Sequence, residues 1–316
     1  MRTDTSYLGF RLPHPFIAGA SPFGYHLDTV RRLEDGGCAA VVLHSLFEEQ
    51  ITGANRDGAR YPLDPDAYAE HVRRTKETLH IPVIGSLNGT SKQSWLKFAT
   101  MIEQAGADAL ELNLYEVSTD RSAPAAALEM QLAGIVYEVK RLVTIPVAIK
   151  VMPFFTSFAN FARQLDTAGA DALVIFNRFY QNDLDIKTLK VAPHVELSSS
   201  SELLLRLHWL AILYGRVRPA LAVTGGIGTP EDGVKAILSG ADAVQLVSAL
   251  LRHGTQYVQT MREGLERWME EHAFETLEEM RGLASFDSVA DPAALERANY
   301  IRTLQSWGGE SWEQSR

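Results

Sequence analysis

One phrase recurs four times along the chain and limits what it can fold into. Gly37-Cys-Ala-Ala-Val-Val-Leu43, Gly106-Ala-Asp-Ala-Leu-Glu-Leu112, Gly169-Ala-Asp-Ala-Leu-Val-Ile175 and Gly240-Ala-Asp-Ala-Val-Gln-Leu246 lie roughly 65 to 70 residues apart. Each follows an amphipathic helical run and opens an apolar strand, so the glycine closes a helix and a strand begins at once. Between the copies stand Ile81-Pro-Val-Ile-Gly85, Ile145-Pro-Val-Ala-Ile149 and Pro219-Ala-Leu-Ala-Val223, with Pro15-Phe-Ile-Ala-Gly19 as the first of the set. These are strands begun by proline, where no ladder donor is lost.

The pattern predicts eight strands, at about 15–19, 39–44, 81–86, 108–113, 146–151, 171–176, 219–224 and 242–247. Helical patterns at about 27–36, 66–79, 91–105, 123–143, 157–168, 201–215, 230–239 and 253–271 separate them. Eight alternating units with continuous apolar strands point to an α/β fold, a closed parallel (β/α)8 TIM barrel. An open doubly wound sheet is the alternative, and the two-unit repeat fits eightfold closure better. Residues 1–272 are assigned to the barrel. Residues 273–316 are read as a short C-terminal extension, with helical patterns near 275–282 and 291–305 and a frayed tail from Gly308 to Arg316.

Thirty basic and thirty-nine acidic residues give a net charge of −9, with no long run of either sign, so no nucleic-acid partner is expected. The single cysteine, Cys38, excludes an intrachain disulfide and fits a reducing compartment. Met1 to Phe10 holds charges and no apolar h-region, and no apolar run approaches the length of a membrane span. The expectation is a soluble, cytoplasmic protein with no membrane contact.

In a barrel of this kind the site lies at the C-terminal ends of the strands. Those ends carry Ala20-Ser21, His44-Ser45, Ser86-Leu-Asn-Gly89, Glu111-Leu-Asn113, Lys150, Phe176-Asn177, Thr224-Gly-Gly226 and Val247-Ser-Ala249. Asn88, Asn113 and Asn177 can each donate and accept, and Lys150 brings one positive charge. Such a ring suits a neutral, hydrogen-bonding heterocycle, a small-molecule ligand, better than a metal, and no His/Asp/Glu trio has metal-ligand spacing. After Leu221-Ala-Val-Thr224 come Gly225, Gly226, Ile227 and Gly228, then Thr229 as N-cap and Pro230 at the first helical position. A glycine turn at a helix start suits a phosphate, although a tight strand-to-helix turn asks for glycine on its own account.

These residues carry a resemblance. Glu111-Leu-Asn-Leu114, Ile149-Lys-Val-Met-Pro153 and the Gly225-Gly226 turn resemble the dihydroorotate dehydrogenase family of FMN-dependent barrels, nearest its class 1 branch, over about residues 5–270. The resemblance implies an FMN oxidoreductase acting on a CH–CH bond, dihydroorotate to orotate in pyrimidine biosynthesis. It implies that Asn113 and Lys150 contact the flavin ring, that Ala20 and Ser21 lie beside it, and that Asn177 closes on flavin or substrate. The backbone of Gly225, Gly226, Ser248 and Ala249 would hold the FMN phosphate. Asn88 joins the cofactor-binding set as part of the polar ring, and a homodimer follows from the resemblance alone. A structural reading of Lys150 is an interior lysine paired with a carboxylate.

The chain departs from the family pattern where class 1 members continue with Ser-Cys-Pro-Asn and place their base. Here Tyr115-Glu-Val-Ser118 stands instead. Glu116 is a replacement base if burial raises its pKa, and a solvated loop carboxylate otherwise. His44-Ser45 stands where the family has lysine and serine, and His44 is read either as a donor to flavin or substrate or as a histidine satisfied by a backbone carbonyl. In place of the family's asparagine-rich substrate loop, residues 53–65 supply Asn55, Arg56, Asp57, Arg60 and Tyr61, with Arg56 or Arg60 as receptors for a carboxylate. Residues 178–185 and Ser198 to Ser201 replace a glycine-rich insertion. Two other functions stay open: a non-redox barrel enzyme in which Lys150 forms a Schiff base over a phosphate held at Gly225-Gly226, and a flavin-binding protein without turnover, or one relying on an electron-transfer partner.

Overall fold

The computed structural model describes residues 1–48, 64–89, 91–178 and 181–306. Eight parallel strands close a barrel: β3 (Phe16–Ala18), β4 (Val41–Phe47), β5 (Val83–Asn88), β6 (Ala109–Leu114), β7 (Val147–Val151), β8 (Ala172–Ile175), β11 (Ala220–Thr224) and β12 (Ala243–Leu246), with β12 returning to pair with β3. Around them run α1 (Leu27–Asp35), α2 (Pro65–Thr78), α3 (Lys92–Gln104), α4 (Ala125–Leu142), α5 (Phe158–Thr167), α6 (Leu203–Leu213), α7 (Pro230–Leu238), α8 (Ser248–His253) and α9 (Tyr257–Glu271). The helix expected over 253–271 is α9, starting at Tyr257; a short helix that the pattern did not predict, α8, precedes it and ends at Gly254, which has φ +84. The C-terminal extension holds α10 (Leu277–Met280), a π turn at Ala294–Ala298 and α11 (Asn299–Ser306). The expected tail from Gly308 lies outside the described residues.

The repeated phrase has a physical cause. Its glycines, Gly37, Gly106, Gly169 and Gly240, sit at φ +92, +95, +95 and +112, left-handed positions that turn the chain from helix to strand. Its aspartates tie each new strand to the neighbouring one. Asp108 Oδ2 accepts from the Val83 N–H at 2.7 Å, Asp171 Oδ2 from Val147 at 2.7 Å, and Asp242 Oδ2 from Leu221 at 2.8 Å. Lys76, Lys140 and Arg281 neutralise these three carboxylates in turn. The phrase thus builds the N-terminal rim of the barrel and leaves the opposite rim free to vary.

Side chains alternate between two cores. Leu110, Leu112, Val147, Ile149, Leu173, Leu221, Val223 and Val244 pack outward against the helices. Ile17, Val42, Ile84, Ala109, Ala148, Ala172, Val174, Ala222 and Ala243 fill the lumen, mostly as alanine. Two hairpins were not foreseen. β1 (Thr5–Tyr7) pairs with β2 (Phe10–Leu12), and Tyr7, Leu8 and Leu12 join the lumen cluster as its floor. β9 (Gln181–Asp185) pairs with β10 (Lys190–His194) between β8 and α6.

Candidate functional site

Above the alanine layer the lumen turns polar. Counting inward positions from Ala109 and Ala148 places Glu111, Asn113 and Lys150 on the axis, and counting from Ala222 and Ala243 adds Thr224 and Gln245. In register, Lys150 lies beside Asn113, and Glu111 beside Ala148 one rung lower. Lys150 Nζ stands 3.3 Å from Glu111 Oε1, and Gln245 Nε2 donates to Glu111 Oε2 at 2.6 Å. The residues are almost wholly covered, Glu111 and Gln245 at 1% exposure and Lys150 at 6%. Among the described residues this is the one hydrogen bond of the Lys150 ammonium, which has three donors to place.

The three asparagines meet at the rim. Asn88 Nδ2 donates to the Asn113 carbonyl at 2.9 Å, and Asn177 Nδ2 donates to Asn113 Oδ1 at 2.6 Å. The Asn177 N–H donates to the Val151 carbonyl at 2.8 Å, which extends the β7–β8 pairing by one step. Beside them the hydroxyls of Ser45 and Ser86 are 2.7 Å apart and buried. Ala20 and Ser21 follow β3 and are half-buried. Gly19 enters the lumen there, where a Cβ would meet Val247 Cγ2 at 2.8 Å, so only glycine fits between β3 and β12.

Gly225 and Gly226 lie at the end of β11 and Ser248 and Ala249 just past β12, on paired strands. The two glycines have φ of +82 and +80. A Cβ on Gly225 would come 2.7 Å from Arg206 Nη2, and one on Gly226 would overlap the backbone of Leu203. Ser198 links the two segments: its Oγ accepts from the Gly226 N–H at 3.0 Å, and its own N–H donates to Ser248 Oγ at 3.0 Å. Arg206 Nε donates to the Thr224 carbonyl at 2.5 Å and Arg252 to the Ser198 carbonyl at 2.7 Å, so two guanidinium groups brace the turn. Asp232 Oδ2 accepts from the Gly228 and Thr229 N–H groups, and Thr229 caps α7 in a capping box.

Two of the residues singled out for proton chemistry stand apart from this arrangement. β4 carries an irregularity between Val42 and Ser45, which brings Ser45 level with Ser86 and turns His44 off the lumen. His44 Nδ1 lies 2.9 Å from the Gly24 carbonyl, with Tyr25, Tyr68 and His71 around the ring. Burial pushes the His44 pKa down to about 4, so the ring is neutral and Nδ1 donates. The Tyr68 hydroxyl accepts the Ser86 N–H and lies 2.9 Å from the His44 carbonyl, bridging β4 to β5. Glu116 is exposed. It lines a cleft of about 310 Å³ with Val117, Leu128, Met152, Phe154 and Phe155, between the loops that follow β6 and β7. The structure brings neither residue to Lys150. Asn55, Arg56, Asp57, Arg60 and Tyr61 lie outside the described residues, and the described residues hold no cluster of metal-ligating type.

The sequence leaves the carboxylate partner of Lys150 unnamed, and the structure shows it to be Glu111; Gln245 as the partner of Glu111, and Arg206, Arg252 and Ser198 as braces of the glycine turn, were missed. A signal for the first pair was present. Glu111 and Gln245 occupy one position of the repeated phrase, where the other copies have Val42 and Val174, so two polar groups stand where the pattern puts lumen residues. Arg206 likewise interrupts an apolar helix, Leu203-Leu-Leu-Arg-Leu.

Fold and site define a (β/α)8 barrel with a buried lysine in its lumen and a polar amide rim at its C-terminal mouth. The family model described as dihydroorotate dehydrogenase matches residues 51–269, and the chain belongs to that family. It is 26% identical over 306 residues to the dihydroorotate dehydrogenase B (NAD(+)) catalytic subunit of Thermoplasma volcanium, covering 89% of this chain and 98% of that one. It is 27% identical over 301 residues to the catalytic subunit of the same name in Methanothermobacter thermautotrophicus, with 89% and 98% covered. It is also 26% identical over 334 residues to the NAD-dependent dihydropyrimidine dehydrogenase subunit PreA of Escherichia coli K12, covering 94% and 80%. No helix among the described residues is long and apolar enough to cross a membrane.

Proposed function

We propose that this chain is an FMN-dependent oxidoreductase that works on the CH–CH bond of a dihydropyrimidine ring, with dihydroorotate as the first candidate substrate. The observation that carries the reading is Lys150. A buried ammonium whose one hydrogen bond among the described residues is 3.3 Å long, set beside three linked amides, has donors left for an acceptor at the barrel mouth. Family membership and relatives named for dihydroorotate and dihydropyrimidine dehydrogenation support it.

The donor set fits FMN. Lys150, Asn88, Asn113 and Asn177 would hold the ring, with Ala20 and Ser21 beside it, and Gly225, Gly226, Ser248 and Ala249 would hold the phosphate. FMN, when bound, supplies the hydride-accepting N5 and an N1–C2 edge that gains negative charge on reduction. Lys150 places a positive charge for that edge in a covered site, where it acts at low dielectric and with little reorganisation. The amides of Asn113 and Asn177 fix one another and so present a defined pattern of donor and acceptor. Glu116, on the loop just past Asn113, is our candidate for proton transfer at the substrate carbon. His44 holds the Gly24 turn that follows Ser21 and acts on the site through it.

The Schiff-base alternative draws less support, since Lys150 is held as an ammonium by a carboxylate and a nucleophilic amine must be free of its proton. Two relatives are named as catalytic subunits and one as a subunit, and we extend that arrangement to this chain by proposing an electron-transfer partner. The test is anaerobic addition of dihydroorotate, and separately dihydrouracil, to the FMN-loaded protein. Bleaching of the flavin band by either supports the substrate class. A band that survives both removes that class. Loss of bleaching in Glu116→Gln supports the proton role, and an unchanged rate across pH removes it.

A further inference from the structure

Stability alone does not account for a carboxylate buried directly beneath the cation of the mouth. The lumen around it is Ala109, Ala148, Ala172, Val174, Ala222 and Ala243. Replacing a buried ion pair with well-packed apolar groups is often neutral or stabilising. We propose that Glu111, itself held by Gln245, is a positioning residue that fixes the Lys150 ammonium at the floor of the flavin site. The inference rests on the FMN reading above.

The geometry forms a ladder from floor to mouth. Gln245 Nε2 holds one oxygen of Glu111 at 2.6 Å, and the other oxygen faces Lys150 Nζ at 3.3 Å. Below, Gln245 Oε1 and the Tyr7 hydroxyl are two buried polar atoms that close no hydrogen bond among the described residues. They are neighbours, one an acceptor and one a donor. Burial first, then the charge of Glu111, holds the Tyr7 pKa well above its ordinary value, so the hydroxyl keeps its proton and can donate upward. Gln245 stands on β12 and Glu111 on β6, on different sides of the closed barrel, so the carboxylate is gripped from across the lumen. A lysine has four flexible side-chain bonds, and without this grip its ammonium is free to reach for water at the rim.

Sulfite binding to the FMN-loaded full-length protein tests this without turnover. The sulfur electron pair forms a bond to flavin N5 and the ring takes the charge on its N1–C2 edge, so the sulfite Kd reports the cation placed there. Lys150→Met is expected to raise that Kd about a hundredfold, the scale of removing one preorganised charge-stabilising donor. Glu111→Gln keeps the shape and removes the charge, and is expected to raise it about tenfold, because the ammonium loses its anchor. Gln245→Met, which leaves the ion pair but frees the carboxylate, moves it in the same direction by less. Tighter sulfite binding in Glu111→Gln overturns the inference, since the carboxylate would then merely oppose the negative charge of the ring. An unchanged Kd overturns it too. If Glu111→Gln does not fold, Gln245→Met decides, and no change there is again fatal. Wild-type protein that takes up no FMN removes the functional reading and this inference with it, whereas FMN uptake with a Kd indifferent to Glu111 removes the inference alone.

Discussion

Removing Lys150 leaves Glu111 buried with Gln245 as its one hydrogen-bond partner among the described residues, and the cost of that can be worked out. Glu111 is 1% exposed and Lys150 6%, so neither charge is relieved by solvent. Taking one partner from such a pair costs about 3 to 5 kcal/mol, because an uncompensated charge is left behind. For a chain of this size about 2 °C of melting temperature goes with each kcal/mol, so Lys150→Met should melt about 6 to 10 °C lower. The double variant Lys150→Met/Glu111→Leu has no charge to strand, and should melt within about 2 °C of the wild type, or above it. Glu111→Leu alone leaves the ammonium unpaired at a similar cost, so the two substitutions are coupled by about 5 kcal/mol or more, measurable as a double-mutant cycle in thermal unfolding followed by circular dichroism on flavin-free protein. A Lys150→Met protein as stable as wild type, or a double variant that loses the sum of both singles, would refute the ion pair as drawn.

Acid should weaken the fold through two histidines. Burial holds the pKa of His14 and of His44 at about 4, below the unfolded value of 6.5. The unfolded chain therefore binds more protons between those limits, so stability is complete above about pH 6.5 and falls as pH drops towards 4, by about 3 kcal/mol per histidine. Melting temperatures of wild type and His44→Gln between pH 7 and pH 4 check this, and parallel curves for the two proteins would count against it. Gly226→Ala should abolish FMN retention while far-ultraviolet circular dichroism stays native, because the methyl group meets Leu203 at a φ of +80. Gly106→Ala is the control: it has the same handedness of backbone but open space around the Cβ, and should cost about 1 to 2 kcal/mol with FMN binding intact.

The barrel could be read from the chain because its N-terminal rim is built by a repeated local device. The left-handed glycines and the aspartates that catch the preceding strand's N–H sit at fixed places in one short phrase, and the aspartates recur at Asp108, Asp171 and Asp242. The polar mouth was legible in part, since strand parity places Asn113 and Lys150 together wherever β6 and β7 are regular. It misled at β4, where one extra residue between Val42 and Ser45 reverses the parity and sends His44 outward. No composition signal marks such an irregularity. The β9–β10 hairpin also escaped, because its strands mix charged and apolar residues without a buried face, and Leu184, Ile186, Leu189 and Val191 remain exposed. Contacts such as Gln245 with Glu111 span 134 residues and exist only once the barrel has closed.

In the proposal above, the mouth of this barrel holds FMN over Lys150. The most direct measurement is the visible spectrum of the purified protein after incubation with FMN and gel filtration, set beside Lys150→Met and Gly226→Ala. One flavin per chain is expected in the wild type, weaker retention in Lys150→Met and none in Gly226→Ala. A wild-type protein that emerges colourless, with Lys150 instead trapped on a carbonyl compound by borohydride, would contradict it.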